Sequence, residues 1–200
     1  MWPILLASIV ALTVVIERLW FIVSESVRRQ PQVVGEILAR VEKGDVDGAI
    51  GVGSASRDFV ARVLTYGLAH RDKSLSEALL RASNWELKRF NRGLTILDTI
   101  ITLAPLLGLL GTVTGMIHSF GLLGASELGA PAAITGGIAE ALIATAFGLG
   151  VAITALIPFN YLNSRLEEAR LDIQDAASHI ELNLKRSGNC AFQTLETADA

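Results

Sequence analysis

Between Leu128 and Ser164 the chain carries one formally charged residue, Glu140, in a run dominated by Ala, Gly, Ile, Leu, Val and Thr. That run is long enough to cross a bilayer, since a ~30 Å hydrocarbon core takes about 20 apolar residues at about 1.5 Å each. A carboxylate on a spanning helix costs roughly 2.5–3.5 kcal/mol on insertion scales, so it faces a cavity, a partner or a proton path. The plainer explanation is a structural hydrogen bond to a neighbouring helix. No Lys or Arg shares the segment to neutralise the charge, which favours a functional role.

Two further segments are apolar enough to span. Residues 1–23 form the weaker one, because Glu17 and Arg18 interrupt it; residues 98–123 form the second, with Asp98 at its entrance. With residues 134–158 this makes three. A hydrophobic content of 51% and a mean hydropathy of +0.47 exceed what one small soluble core needs. The N-terminal Met1, Trp2 and Pro3 lack the basic region of a cleaved signal peptide, so the first segment reads as a retained anchor.

Positive charge orients the spans. Twelve Lys and Arg, at 28, 29, 40, 43, 57, 62, 71, 73, 81, 88, 89 and 92, lie between the first two spans, and residues 124–133 hold none. The positive-inside rule then makes the long connection and the C-terminal part cytoplasmic, with the N-terminus and the short loop facing outward. The expected order is transmembrane helix 1 at 1–23, a cytoplasmic helical region at 24–97, helix 2 at 98–123 and a periplasmic loop at 124–133. Helix 3 at 134–158, a cytoplasmic helix at 159–186 and a flexible polar tail at 187–200 complete it.

The cytoplasmic region reads as helical throughout. Val33, Val34, Ile37, Leu38 and Val41 repeat at helical spacing, Gly44 and Asp45 close that helix, and another begins near Val46. Residues 51–56 read as a turn. Ser74 with Glu77 forms a capping box, from which a helix is expected to run unbroken through Leu87 and Leu94 into the second span. Beyond Pro158, Leu162, Leu166, Ala169, Ile173, Ala176 and Ile180 repeat at helical spacing.

Several function classes drop out. Seventeen Lys and Arg against 20 Asp and Glu give no basic field for nucleic acid. No Walker motif, HExxH or CxxC is present, and His70, His118 and His179 are too scattered for a metal site, so neither an enzyme nor a cofactor is expected. Cys190 is the only cysteine and reads as a bland thiol in a polar tail. The remaining chemistry is in spans two and three. Gly108, Gly111, Gly115, Gly136, Gly137, Ala141, Ala144, Gly148 and Gly150 let helix backbones approach closely. Thr112 and Thr145 offer hydroxyls that can serve a carboxyl or a water, or simply bond back to their own helix.

Residues 104–120, APLLGLLGTVTGMIHSF, and residues 136–150, GGIAEALIATAFGLG, resemble the second and third spans of the MotA/TolQ/ExbB proton-channel family, and most of all the ExbB type. The IERL exit of the first span at 16–19 is similar too. The resemblance implies an all-α membrane protein assembling as a ring, commonly a pentamer, around helices of an ExbD-like subunit with an intramembrane Asp. It implies that Glu140 matches the family's essential glutamate and that Thr112 and Thr145 match threonines lining the proton pathway. The implied role is the stator of a motor in the bacterial inner membrane, driven by proton-motive force, which passes work to a TonB-like transducer for transport across the outer membrane. A TolQ-like subunit of an envelope-integrity motor and a purely structural scaffold are the alternatives.

Overall fold

The computed structural model describes the backbone of residues 2–123 and 131–198, and the side chains of 2–71, 74–121 and 135–184. Among the described residues every regular element is a helix: α1 Trp2–Val27, α2 Pro31–Glu42, α3 Val46–Ser54, α4 Phe59–Ala69, α5 Arg71–Asn91, α6 Leu94–Leu123 and α7 Pro131–Ala198. Three of these, α1, α6 and α7, are long and apolar enough to cross a membrane. Most of the expected outer loop, residues 124–130, lies outside the described residues. Only backbone is described for 187–198, where a flexible tail is expected, and it continues α7.

The chain divides into two units, Met1–Trp20 with Gly93–Asn163, and Phe21–Arg92 with Ser164–Ala200. The first inverts the usual order of side chains. Its buried positions are largely small, including Ala11, Ala104, Ala141, Ala144, Ala152 and Ala155, whereas Leu106, Leu109, Ile117, Leu142, Phe147 and Ile157 stand exposed. Water does not support an apolar surface that extensive; lipid does, and small residues inside let the helices approach.

The second unit has an ordinary core. Ile37, Val41, Val60, Val63, Leu64, Leu68 and Leu79 are buried, and α7 contributes the predicted stripe Leu166, Ala169, Ile173, Ala176 and Ile180. Phe90 meets Phe59 and Phe21 edge-on, at centroid separations of 5.2 and 5.5 Å. Local signals set the ends of its helices. Pro31 opens α2 at a position that needs no N–H, and Asp45 caps α3 by accepting from the Gly48 N–H at 3.0 Å. The expected cap at Ser74 is present: its backbone leaves helical geometry (φ −168°, ψ 109°) and its Oγ accepts from the Glu77 N–H at 3.3 Å.

Two expectations fail. Residues 51–54 are not a turn but the last part of α3. Gly53 serves contact there, because a Cβ would fall 2.0 Å from Thr65 Oγ1. The helix from Ser74 does not run unbroken into the second span either. Arg92 turns extended (φ −60°, ψ 130°) and Gly93 takes φ +85°, a left-handed conformation that glycine adopts without steric cost. The Gly93 carbonyl then accepts from the N–H groups of Ile96 and Leu97, which starts α6 afresh.

Candidate functional site

The site lies where α6 and α7 cross the membrane unit in close contact. Ala104, Gly108, Gly111, Gly115 and Ser119 recur at three and four residues along one face of α6. They meet Gly148, Thr145, Ala144, Ala141 and Gly137 of α7 in reverse order. Main chain touches main chain along this seam. A Cβ at Gly108 would fall 2.9 Å from Thr145 Cα, and one at Gly148 would fall 2.5 Å from the Ala104 carbonyl oxygen.

Each of the three predicted side chains is placed differently. The Thr145 hydroxyl donates across the seam to the Gly108 carbonyl at 2.9 Å, tying the helices together. Thr112 bonds back to its own helix, donating to the Leu109 carbonyl at 2.7 Å. Both hydroxyls keep lone pairs that can accept from water. Glu140 is exposed and, among the described residues, makes no hydrogen bond or ion pair. It lies five positions before Thr145, about 140° around the helix and about 7.5 Å along it. Thr145 lies in the seam, while Glu140 borders it, about 40° around the helix from Ala144, with its side chain exposed. The three side chains share no hydrogen bond among the described residues.

Other polar groups escape a reading of the sequence. Ser119, 1% exposed, donates to the Gly115 carbonyl at 2.8 Å and packs where Gly137 leaves room. Its place in the three-and-four repeat of the seam was the only signal. Arg18 is buried at the end of the first span, pairs with Glu17 and lies against Gly93.

In the second unit, buried Asp58 accepts from Arg29, which also reaches Asp172. Arg62 joins buried Glu25 and Glu86, and Arg89 joins Glu86. Burial opposes the charge of Arg29, but its hydrogen bonds to Asp58 and Asp172 outweigh that and raise its pKa. Arg62 is raised in the same way, burial being offset by Glu86 and Glu25. Among the described residues no cluster of His, Cys, Asp and Glu could hold a metal ion.

Residues 55–175 match the MotA/TolQ/ExbB proton channel family. The chain belongs to that family. The matched region holds α4, α5, α6 and the membrane part of α7, and with them the seam, Thr112, Glu140 and Thr145. Two relatives from Synechocystis sp. carry the name biopolymer transport protein: ExbB-like 1 and ExbB-like 3. The first is 42% identical over 191 residues, covering 91% of this chain and 74% of the relative. The second is 35% identical over 190 residues, covering 92% and 90%. The Tol-Pal system protein TolQ of Haemophilus influenzae is 36% identical over 100 residues, covering 50% of this chain and 44% of that one. Membership in a proton channel family, together with three apolar helices, makes this a multi-pass membrane protein.

Proposed function

We propose that this chain is the ExbB-like channel or stator subunit of a motor in the bacterial inner membrane that runs on proton-motive force. It forms a homo-oligomeric ring, a pentamer, around helices of an ExbD-like subunit that carries an intramembrane Asp. The motor energises a TonB-like transducer for transport across the outer membrane. In this arrangement the N-terminus is periplasmic and the C-terminus cytoplasmic, with the cations of residues 28–92 on the cytoplasmic side.

The observation that carries the proposal is the exposure of Glu140. An exposed carboxylate within a span, unpaired among the described residues, calls for a partner or water. A ring gathers several such carboxyls about one lumen. Identical subunits bind a proton alike, so motion needs an asymmetric axle whose contacts differ between the charged and neutral states. One proton moving down 100 mV releases about 2.3 kcal/mol, enough to bias such a contact. Thr112 and Thr145 hold water near the route, and Thr145 also fixes the spacing of the two helices.

The test is Glu140→Gln, which keeps shape and hydrogen bonding but cannot ionise. Proton flux in reconstituted vesicles and proton-driven uptake in cells are expected to vanish while the complex still assembles. Normal flux and uptake would leave Glu140 as a scaffold residue and defeat the proposal. The 36% identity to a TolQ supports a second reading, the same motor serving envelope integrity. Envelope leakage with intact uptake in the Gln variant would select it.

A further inference from the structure

The second unit has two patterned surfaces that stay uncovered among the described residues. On α5, Arg81, Trp85 and Lys88 follow at steps of four and three residues along the rim of a groove of about 480 Å³ that also includes Val63 and Ala82. Trp85 is 70% exposed. Arg81 and Lys88 are exposed and make no ion pair among the described residues. The third cation of the groove, Arg62, is engaged by Glu25 and Glu86.

On α7, the buried stripe from Leu166 to Ile180 faces the unit's core. About 120–180° around the helix, at 3.6 residues per turn, run Glu168, Leu171 and Asp175 at steps of three and four. Leu171 is 57% exposed, and Asp175 is exposed with no ion pair among the described residues. Glu168 pairs with Arg165 on its own helix, an exposed contact of little worth.

The two patterns match in antiparallel register. Setting Arg81 against Asp175 sets Trp85 against Leu171 and Lys88 against Glu168, because four then three on α5 reads as four then three down α7. Each cation meets an acid, and the exposed indole meets the exposed leucine. A single copy cannot make this contact. Its own α5 and α7 line a shared groove through other residues, among them Leu79, Ser83, Ile173 and Ala177.

We propose that the α5 face of Arg81, Trp85 and Lys88 docks on the α7 face of Glu168, Leu171 and Asp175 in a second copy of this chain. Two different faces of one chain make a heterologous, head-to-tail contact, which excludes a twofold dimer and builds a ring when the rotation between neighbours closes. The inference rests on the proposed ring and specifies which surfaces join its neighbours outside the membrane.

In a Cys190→Ala background, Trp85→Cys and Leu171→Cys placed in one chain and oxidised in native membranes are expected to give a ladder of covalent multimers. Either cysteine alone is expected to give none, since a disulfide needs Cβ atoms about 3.5–4.5 Å apart. Arg81→Glu is expected to lower the assembled fraction about two- to five-fold, the scale of an exposed ion pair, and adding Asp175→Arg to restore it. An intact ring by native mass spectrometry with no ladder, or with no rescue, overturns the pairing and leaves the ring standing. A monomer under the same conditions overturns both. A disulfide from position 85 to a different protein gives this face another occupant and overturns the pairing as well.

Discussion

Gly148→Ala tests whether the α6 and α7 backbones are as close as the seam requires. The added methyl would lie 2.5 Å from the Ala104 carbonyl oxygen, 3.1 Å from Gly108 Cα and 3.2 Å from Gly108 N. All three are main-chain atoms, so no rotamer change relieves the clash. Carbon and oxygen settle near 3.3 Å, and the helices must part by about 0.8 Å. Overpacking of this kind costs about 1–3 kcal/mol. The Thr145 to Gly108 bond, 2.9 Å long, would stretch past hydrogen-bonding range. That loses about 0.6–1.7 kcal/mol more, by the scale of interhelical bonds in membranes. Alanine's better helix propensity returns about 1 kcal/mol, leaving a net loss of about 1–4 kcal/mol. Gly150→Ala is the control. Nothing lies within 4 Å of its Cβ position, so it keeps the propensity gain without the clash. Unfolding of the purified protein by SDS in mixed micelles, followed by circular dichroism, gives both free energies. Equal stability of the two variants would refute the seam.

Thr145→Val is expected to cost about 0.6–1.7 kcal/mol in the same assay through its lost interhelical bond, while Thr112→Val, which loses only a bond to its own helix, stays near wild type; the reverse order would misplace the two hydroxyls. Asp58→Ala is expected to cost about 3–5 kcal/mol, because the buried carboxylate accepts from Arg29 and from the N–H groups of Gln30 and Val60. Asp58→Asn should cost less, since it still accepts at the α4 cap. The pKa of Arg29 is raised, so its contribution is complete below its unfolded pKa and is lost only as pH rises through the folded value, far into the alkaline range. The stability difference between wild type and Arg29→Met should therefore stay flat from about pH 7 to about pH 10, and a step there would contradict the assignment.

Patterns along the chain determined the three apolar helices, the α7 stripe from Leu166 to Ile180, the Ser74 cap and the prominence of Glu140. Each is a local property. A helix shows its buried face every three or four residues, a cap acts over one turn, and a charge in an apolar run stands out whatever surrounds it. Glycines were harder to read, because the residue does not say whether its missing side chain serves a turn, as at Gly93, or a close contact, as at Gly53 and Gly148. Tertiary structure decided those cases. It also brought Arg29 to Asp58 and Asp172, and Arg62 to Glu25 and Glu86, partners separated by 24 to 143 residues with no periodicity to announce them. The two threonines look alike in sequence, yet of the two only Thr145 lies on the seam and bonds to the other helix, because helical phase places it against Gly108.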